Sequence, residues 1–419
     1  MTPYLNTRSL YPPLIHKRPS PLLGIVVVIP CYNEEFLLLS LMSLLKCARP
    51  DCDTEVIVVI NQSEKTPADV KAINQHTFQQ AKKWISKNRQ SHLRIYPIFL
   101  DDLPARHAGV GLARKIGMDE ACYRFHKAKN SKGVIVCFDA DSRCEENYLV
   151  EIAHYFSGRP KALACGIHFE HPLSGCDFDE NIYTAITLYE LHLRYYVNAQ
   201  RWAGFQHAWQ TIGSSMAVRC DAYQKQGGMN RRQAGEDFYF LHKFIPLGHF
   251  GEIKKTKVIP SPRQSDRVPF GTGKAVNDII KSRKKYLTYH PKSFQDLKIF
   301  LKDVWPELYH SSSTDNIYGK LPQSVVQFLS NNNFEKKLAE IKLHTANKKS
   351  FEKRLARWFD AFLLMKYVHF ARDHFYADME VTEAAKWLLK NISPASNLEN
   401  KSAKDLLLQF RKIDLVFTG

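Results

Sequence analysis

Two aspartates separated by one small residue, Asp139-Ala140-Asp141, follow directly on the apolar run Val134-Ile135-Val136-Cys137-Phe138. In an extended chain, residues i and i+2 face the same way, so both carboxylates can converge on one hard cation, and Ala140 leaves room for it. A divalent cation held there, Mn2+ or Mg2+, would bridge the two phosphates of a nucleoside diphosphate and neutralise it as a leaving group. Asp141 and Asp139 are therefore the candidate metal ligands. Isolated D-x-D triplets are common in polar loops; the position straight after a buried strand sets this one apart. A second acidic pair, Gly235-Glu236-Asp237-Phe238, opens a helix. Acidic residues in a first turn are ordinary dipole compensation. Beside a D-x-D site they become candidate general bases, Asp237 first and Glu236 second, for removing the proton of an attacking hydroxyl, an effect of about 10²–10⁴ in rate.

Other segments could hold a phosphorylated ligand. Pro30-Cys31-Tyr32-Asn33-Glu34-Glu35 reads as a proline stop, a polar turn and an acidic helix start. Arg106-His107-Ala108-Gly109-Val110-Gly111-Leu112-Ala113-Arg114 is a glycine approach into a helix carrying cations, suited to a diphosphate through backbone amides and an arginine fork. It is not a dinucleotide fingerprint, because Arg114 occupies the place of the third glycine. Gly271-Thr272-Gly273-Lys274 is not a P-loop, because Val268 stands where its first glycine belongs and Ala275 follows the lysine. Gly213-Ser214-Ser215 offers a backbone wall, and Arg263 and Arg267 offer further cations.

The elements that must position these residues follow from periodicity. From Gly24 to about Phe169, short β-branched runs alternate with longer amphipathic ones, the pattern of βαβ units in a mostly parallel sheet flanked by helices. Strands are expected at Ile25 to Ile29, Glu55 to Ile60, Leu93 to Phe99, Val134 to Phe138 and Ala162 to Phe169. Helices are expected at Glu34 to Lys46, Ala68 to Lys87, Val110 to Lys127 and Asn147 to Phe156. A long helix from Asp179 to Gln200, a strand through Thr211 to Val218, a short helix after Asp221 and an extended piece from Ile253 to Ile259 complete this part. Three regions result: an extension over 1–21, an α/β domain over 22–275 and a mainly helical region over 276–419. Ligands of open parallel sheets bind beyond the carboxyl ends of the strands, where these motifs fall.

Composition narrows the class. Of 419 residues, 44% are hydrophobic and 12% aromatic, which fits a folded chain long enough for more than one core. Nine cysteines without a CxxC pair read as buried free thiols of a reducing compartment. With no run near the roughly 20 apolar residues of a membrane span, the expected location is the cytoplasm, soluble or peripheral at the inner membrane surface. A net charge of +17 calls for an anionic partner: phosphate-bearing substrate, membrane surface or nucleic acid.

The ordered set Ile29-Pro30-Cys31-Tyr32-Asn33-Glu34-Glu35, Ala113-Arg114-Lys115-Ile116-Gly117, Asp139-Ala140-Asp141, Gly213-Ser214-Ser215 with Gly227-Gly228, and Gly235-Glu236-Asp237 resembles the family 2 glycosyltransferases of GT-A fold, over about residues 22 to 275. The resemblance implies a metal-dependent, inverting transfer from a nucleoside diphosphate sugar to a hydroxyl, on a glycan or a lipid-linked acceptor, with no nucleic acid involved. It further implies that Pro30, Tyr32 and Glu34 line the nucleotide pocket. Arg114 would meet base or diphosphate, Asp139 ribose or metal, Asp141 the metal, and the Glu236-Asp237 pair would supply the base. The chain departs from the pattern at Asn61-Gln62-Ser63, where an acidic pair usually reads uracil; Asn61 brings an amide with both donor and acceptor. It also lacks an evident metal-binding histidine after the Glu-Asp helix, for which Asp266, Arg263 and Arg267 are the nearest substitutes. Gln200-Arg201-Trp202 lacks the spacing of the Q-x-x-R-W signature of processive synthases. The competing reading is a basic nucleic-acid or anionic-surface binding protein on a catalytically silent scaffold of the same fold.

Overall fold

The computed structural model describes residues 2–267, 271–282, 284–311, 314–393 and 398–417. Val268, which enters the P-loop comparison, lies outside them. The chain divides into two compact units, one of residues 2–183 and 211–278, the other of 184–210 and 279–417.

The first unit is built on an eight-stranded sheet: β1 (Leu23–Cys31), β2 (Asp53–Ser63), β3 (Leu93–Leu103), β4 (Val134–Cys137), β5 (Arg143–Cys144), β6 (Ala164–Phe169), β7 (Met216–Arg219) and β8 (Gly251–Ile259). Their order is β3-β2-β1-β4-β7-β6-β8-β5. The β1–β2, β1–β4, β2–β3 and β6–β8 pairs are parallel, while β7 runs against β4 and β6, and β5 against β8. Hence β1, β2, β3, β4, β6 and β8 all end on one edge, and β7 begins there. Val56 to Ile60 and Val26 to Ile29 are wholly buried, as continuous β-branched runs of a two-sided parallel sheet should be.

Helices α1 (Pro3–Thr7), α2 (Leu37–Leu45), α3 (Ala68–Lys87), α4 (Val110–Lys127), α5 (Tyr148–Gly158), α6 (Glu180–Ala203), α7 (Cys220–Lys225) and α8 (Glu236–Leu241) accompany these strands, α6 continuing into the second unit. The expected elements are present with shifted ends. The first helix starts at Leu37 because Asn33 takes a left-handed turn (φ 50°), a conformation asparagine tolerates, and its amide donates to Asn74 Oδ1 at 2.8 Å. The strand expected through Thr211 to Val218 is only Met216–Arg219, since Gly213 to Ser215 form a turn closed by Ser215 N–H donating to Ile212 O at 2.9 Å. The two-residue β5 is too short to leave a periodic signal.

Helix α4 has lost its amphipathic stripe: Gly111 to Phe125 are all buried, charged residues included. Each charge is matched. Arg124 donates to both oxygens of buried Glu55 at 2.7 Å. Lys115 Nζ donates to Asp119 at 2.9 Å, Tyr4 and Tyr223 hydroxyls donate to the same carboxylate at 2.8 Å, and the amide of Leu14 donates to Glu120 at 2.7 Å. The N-terminal residues thus satisfy the outer face of α4.

The second unit is helical: α9 (Thr272–Ser282) leads into it, followed by α10 (Pro291–Lys298), α11 (Thr314–Tyr318), α12 (Gln323–Asn331), α13 (Phe334–Leu343), α14 (Lys348–Trp358), α15 (Ala361–His374), α16 (Val381–Ile392) and α17 (Ala403–Val416). Asp414 of α17 accepts from Arg194 and Arg201 of α6 at 2.6 Å each. Arg201 is thereby tied into the ion-pair network between α6 and α17.

Removing one partner of a buried ion pair leaves an uncompensated charge, at a cost of about 3–5 kcal/mol. Arg124→Leu should therefore lower the unfolding free energy by that amount in denaturant titration, and Arg124→Leu with Glu55→Leu should recover most of it. A single variant within about 1 kcal/mol of the parent would show that the pair does not organise α4.

Candidate active site

The edge where β1, β2, β4, β6 and β8 end gathers the residues singled out by type. Pro30 is the penultimate residue of β1. The carbonyl of Val28 accepts from the N–H of Phe138, the residue after β4, at 3.0 Å, so two residues on, the side of the chain that would donate toward β4 belongs to Pro30, which has no N–H. The β1–β4 ladder stops there, so Cys31 and Asp139 stand beyond the last paired residues of the two strands, and the space between them is the candidate crevice. Asn61 does not stand in a loop after β2: the strand runs on to Ser63, and Asn61 is buried in it.

At the centre lies Arg114, from the second turn of α4, with a side chain 3% exposed. Its Nη2 pairs with Asp139 and its Nη1 with Glu236. Burial works against the guanidinium charge, but Asp139 and Glu236 outweigh it and hold the group above its ordinary range. Gly213 makes room: a Cβ there would sit 2.5 Å from Arg114 Nη1. The aspartate of the D-x-D motif and the Glu-Asp helix, nearly a hundred residues apart, are thus joined through one guanidinium.

Glu236 is buried, and burial pushes its carboxyl up to about 7 against the pull of Arg114, with Asp237 adding to the rise. Asp237 is half-buried, accepts from the amide of Phe238 at 2.7 Å and is also raised by burial, with Arg114 opposing. Gly235 reaches this helix start through a left-handed turn at φ 68°.

Asp141, with a side chain 20% exposed, faces a second group of cations. Arg263 Nε donates to its Oδ2 at 3.0 Å and Arg267 Nη2 at 3.1 Å. Both arginines also pair with fully buried Glu34, and Arg267 Nη1 donates to the carbonyl of Tyr32 at 3.2 Å. Burial lowers the Arg267 charge, yet Asp141 and Glu34 leave it raised. Asp266, the other substitute for a third ligand, accepts from Asn277 at 2.8 Å. Among the described residues no group of three or more His, Cys, Asp or Glu side chains is disposed around a common ion.

Sequence reasoning missed two supports. Ser40 of α2 donates its hydroxyl to the carbonyl of Ala140 at 2.8 Å, pinning the centre of the D-x-D turn, and Thr77 of α3 does the same for the carbonyl of Glu34 at 2.8 Å. Small hydroxyl residues inside helices carry no signal of this.

A mostly parallel sheet flanked by helices, with carboxylates at its carboxyl edge, is an α/β architecture of GT-A type. Residues 26–223 match the family described as glycosyl transferase family 2, and the chain is a glycosyltransferase. No curated protein sequence matches the chain. Among solved structures, S. aureus TarS 1-349 in complex with UDP-GlcNAc is similar at 12% identity, with a TM-score of 0.41, over 80% of this chain and 91% of that one. TarS 1-349 in complex with UDP is similar at 13% identity and a TM-score of 0.37, over 94% and 88%. Among the described residues no helix is long and apolar enough to cross a membrane.

Gly213→Ala should force Arg114 off its paired carboxylates. A destabilisation of about 1–3 kcal/mol is expected in thermal or denaturant unfolding. A variant with unchanged stability and activity would mean that Arg114 is not held against Gly213.

Proposed function

We propose that the chain transfers a sugar from a nucleoside diphosphate sugar to an acceptor hydroxyl, with inversion, within residues 22–275. The observation that carries this reading is the Arg114 bridge, because it brings a D-x-D aspartate and a Glu-Asp pair to the same guanidinium.

The carboxylates suit a divalent cation, Mn2+ or Mg2+. Asp139 and Asp141 are hard oxygen donors with side chains 38% and 20% exposed, and such ions are commonly held by one or two carboxylates with phosphate oxygens and water completing the shell. Charge points the same way. Glu34, Asp139, Asp141, Glu236 and Asp237 face Arg114, Arg263 and Arg267, so five carboxylates against three guanidiniums leave two negative charges in excess when all are ionised. Bound there, the cation supplies charge to the departing diphosphate.

The chain's own residues do the remainder. Pro30, Tyr32 and Asn61 line the nucleoside side of the crevice, with the Asn61 amide offered to the base. Arg263 and Arg267 present planar forks to phosphate oxygens, and their grip on Asp141 and Glu34 keeps them aligned. Arg114 holds Asp139 in place, and Gly213 and Ser214 form the wall beside the sugar. Asp237 takes the acceptor proton: Glu236 is spent on Arg114 and buried, whereas Asp237 reaches the opening.

Asp141→Ala should abolish metal-dependent stabilisation by the donor nucleotide while the protein stays folded, as read by thermal shift with a panel of nucleotide sugars with and without Mn2+. Donor binding at parental strength would remove Asp141 from the site. Asp237→Asn should keep donor binding and cut kcat by about 10²–10⁴. Burial raises the Asp237 carboxyl, which therefore keeps its proton to higher pH than an ordinary aspartate, so kcat should fall on acidification before the ordinary aspartate range is reached. Full activity in Asp237→Asn, or an acid limb unshifted from the ordinary aspartate range, contradicts the base assignment.

A further inference from the structure

The nine cysteines are all free, and most are buried; Cys176 is exposed, and Cys52 and Cys144 are half-buried, contrary to the reading of uniformly buried thiols. Two of them meet beside the D-x-D turn. Cys47 Sγ, in the turn just after α2, lies 3.7 Å from Cys144 Sγ on β5. Cys144 comes three residues after Asp141, and its sulfur also lies 3.7 Å from the hydroxyl of Ser43. The same helix holds the turn from its other side through Ser40 and Ala140. Another pair, Cys122 and Cys220, is in contact too, but both members are at most 1% exposed and closed to a solute. In the first pair Cys144 opens to solvent, and the hydrogen bond from Cys144 lowers the Cys47 thiol below its ordinary value, favouring the thiolate that reacts.

We propose that Cys47 and Cys144 are a thiol–disulfide modification site, oxidised reversibly by a hydroperoxide, and that closing the bond weakens donor binding at the adjacent D-x-D turn. The thiolate of Cys47 attacks one oxygen of hydrogen peroxide, breaking the O–O bond to give Cys47 sulfenic acid and hydroxide. The Cys144 thiol then attacks the Cys47 sulfur, passing its proton to the departing hydroxyl; the S–S bond forms, the S–O bond breaks and water leaves. A dithiol restores both thiols by exchange. Forming the bond requires the sulfurs to close by about 1.6 Å, to the usual length near 2.05 Å. That displacement is borne by the end of α2 and by β5, the two elements that fix Ala140 and follow Asp141. A disulfide of this kind in a reducing compartment is a sensing bond, not a structural one.

The consequence for donor binding rests on the proposed function; the modification site does not. The full-length protein is treated with hydrogen peroxide, alkylated under denaturing conditions and mapped by peptide mass. In parallel, affinity is measured with Mn2+ for whichever of UDP, GDP, CDP and ADP binds tightest. The expected result is a cross-linked Cys47–Cys144 peptide, 2 Da lighter than the two thiol peptides together, with affinity at least fivefold weaker and restored by dithiothreitol. Cys47→Ser and Cys144→Ser proteins should bind as the untreated parent does, before and after peroxide. Oxidation that appears on Cys176 or Cys52 with no Cys47–Cys144 link overturns the site. A link that leaves affinity unchanged overturns its effect on binding. If no nucleotide binds even before peroxide, the functional reading fails while the cross-link alone still decides the modification site.

Discussion

A guanidinium sealed from water cannot stand alone, and the arrangement of this catalytic domain follows from how Arg114 is neutralised. Removing such an ion from water costs several kcal/mol, returned only when charged partners meet it in good geometry. Asp139 and Glu236 provide that return from opposite sides. The price of the arrangement is a set of positions with little freedom: Gly213 must lack a side chain, α4 must begin at the crevice, and Gly235 must turn left-handed to bring Glu236 inward. The acidic groups assigned to the proposed reaction are thereby fixed to each other in the unliganded chain, which is the condition for electrostatic preorganisation.

The second arginine group behaves differently. Arg263 and Arg267 are 19% and 26% exposed, and they lie across Asp141 and Glu34 from a segment that follows β8. Partly solvated pairs of this kind exchange partners at lower cost than a sealed one. The site therefore combines a rigid half around Arg114 with an exchangeable half around Asp141. Within the glycosyltransferase domain, the exchangeable half is the one suited to an incoming phosphate.

Much of this was legible in the chain. Buried parallel strands announce themselves as β-branched runs, and Asp139 and Asp141 sit where such a run stops. The acidic pair at 236–237 was singled out by its company, and the structure sets Glu236 against the same arginine as Asp139. What stayed hidden was partnership at long range. Nothing in the local sequence says that Arg114 chooses Asp139 and Glu236, that Glu34 turns inward to hold Arg263 and Arg267, or that β2 continues through Asn61. Those outcomes depend on packing across the sheet edge, where Pro30 ends a ladder and Gly213 admits a side chain. Nor does the amphipathic pattern expected of α4 foretell that Lys115, Asp119 and Arg124 are buried and satisfied by Tyr4, Tyr223 and Glu55.

The central claim is that the D-x-D carboxylates hold the cation and diphosphate of the donor. The most direct measurement is an anomalous-scattering map from crystals grown with UDP and Mn2+. The account predicts one manganese peak within coordination distance of the Asp139 or Asp141 carboxylate oxygens, bridged to the diphosphate, with Arg263 and Arg267 turned from Asp141 toward phosphate oxygens. A diphosphate bound in the crevice with Asp141 still paired to both arginines, and no manganese between them, would contradict it.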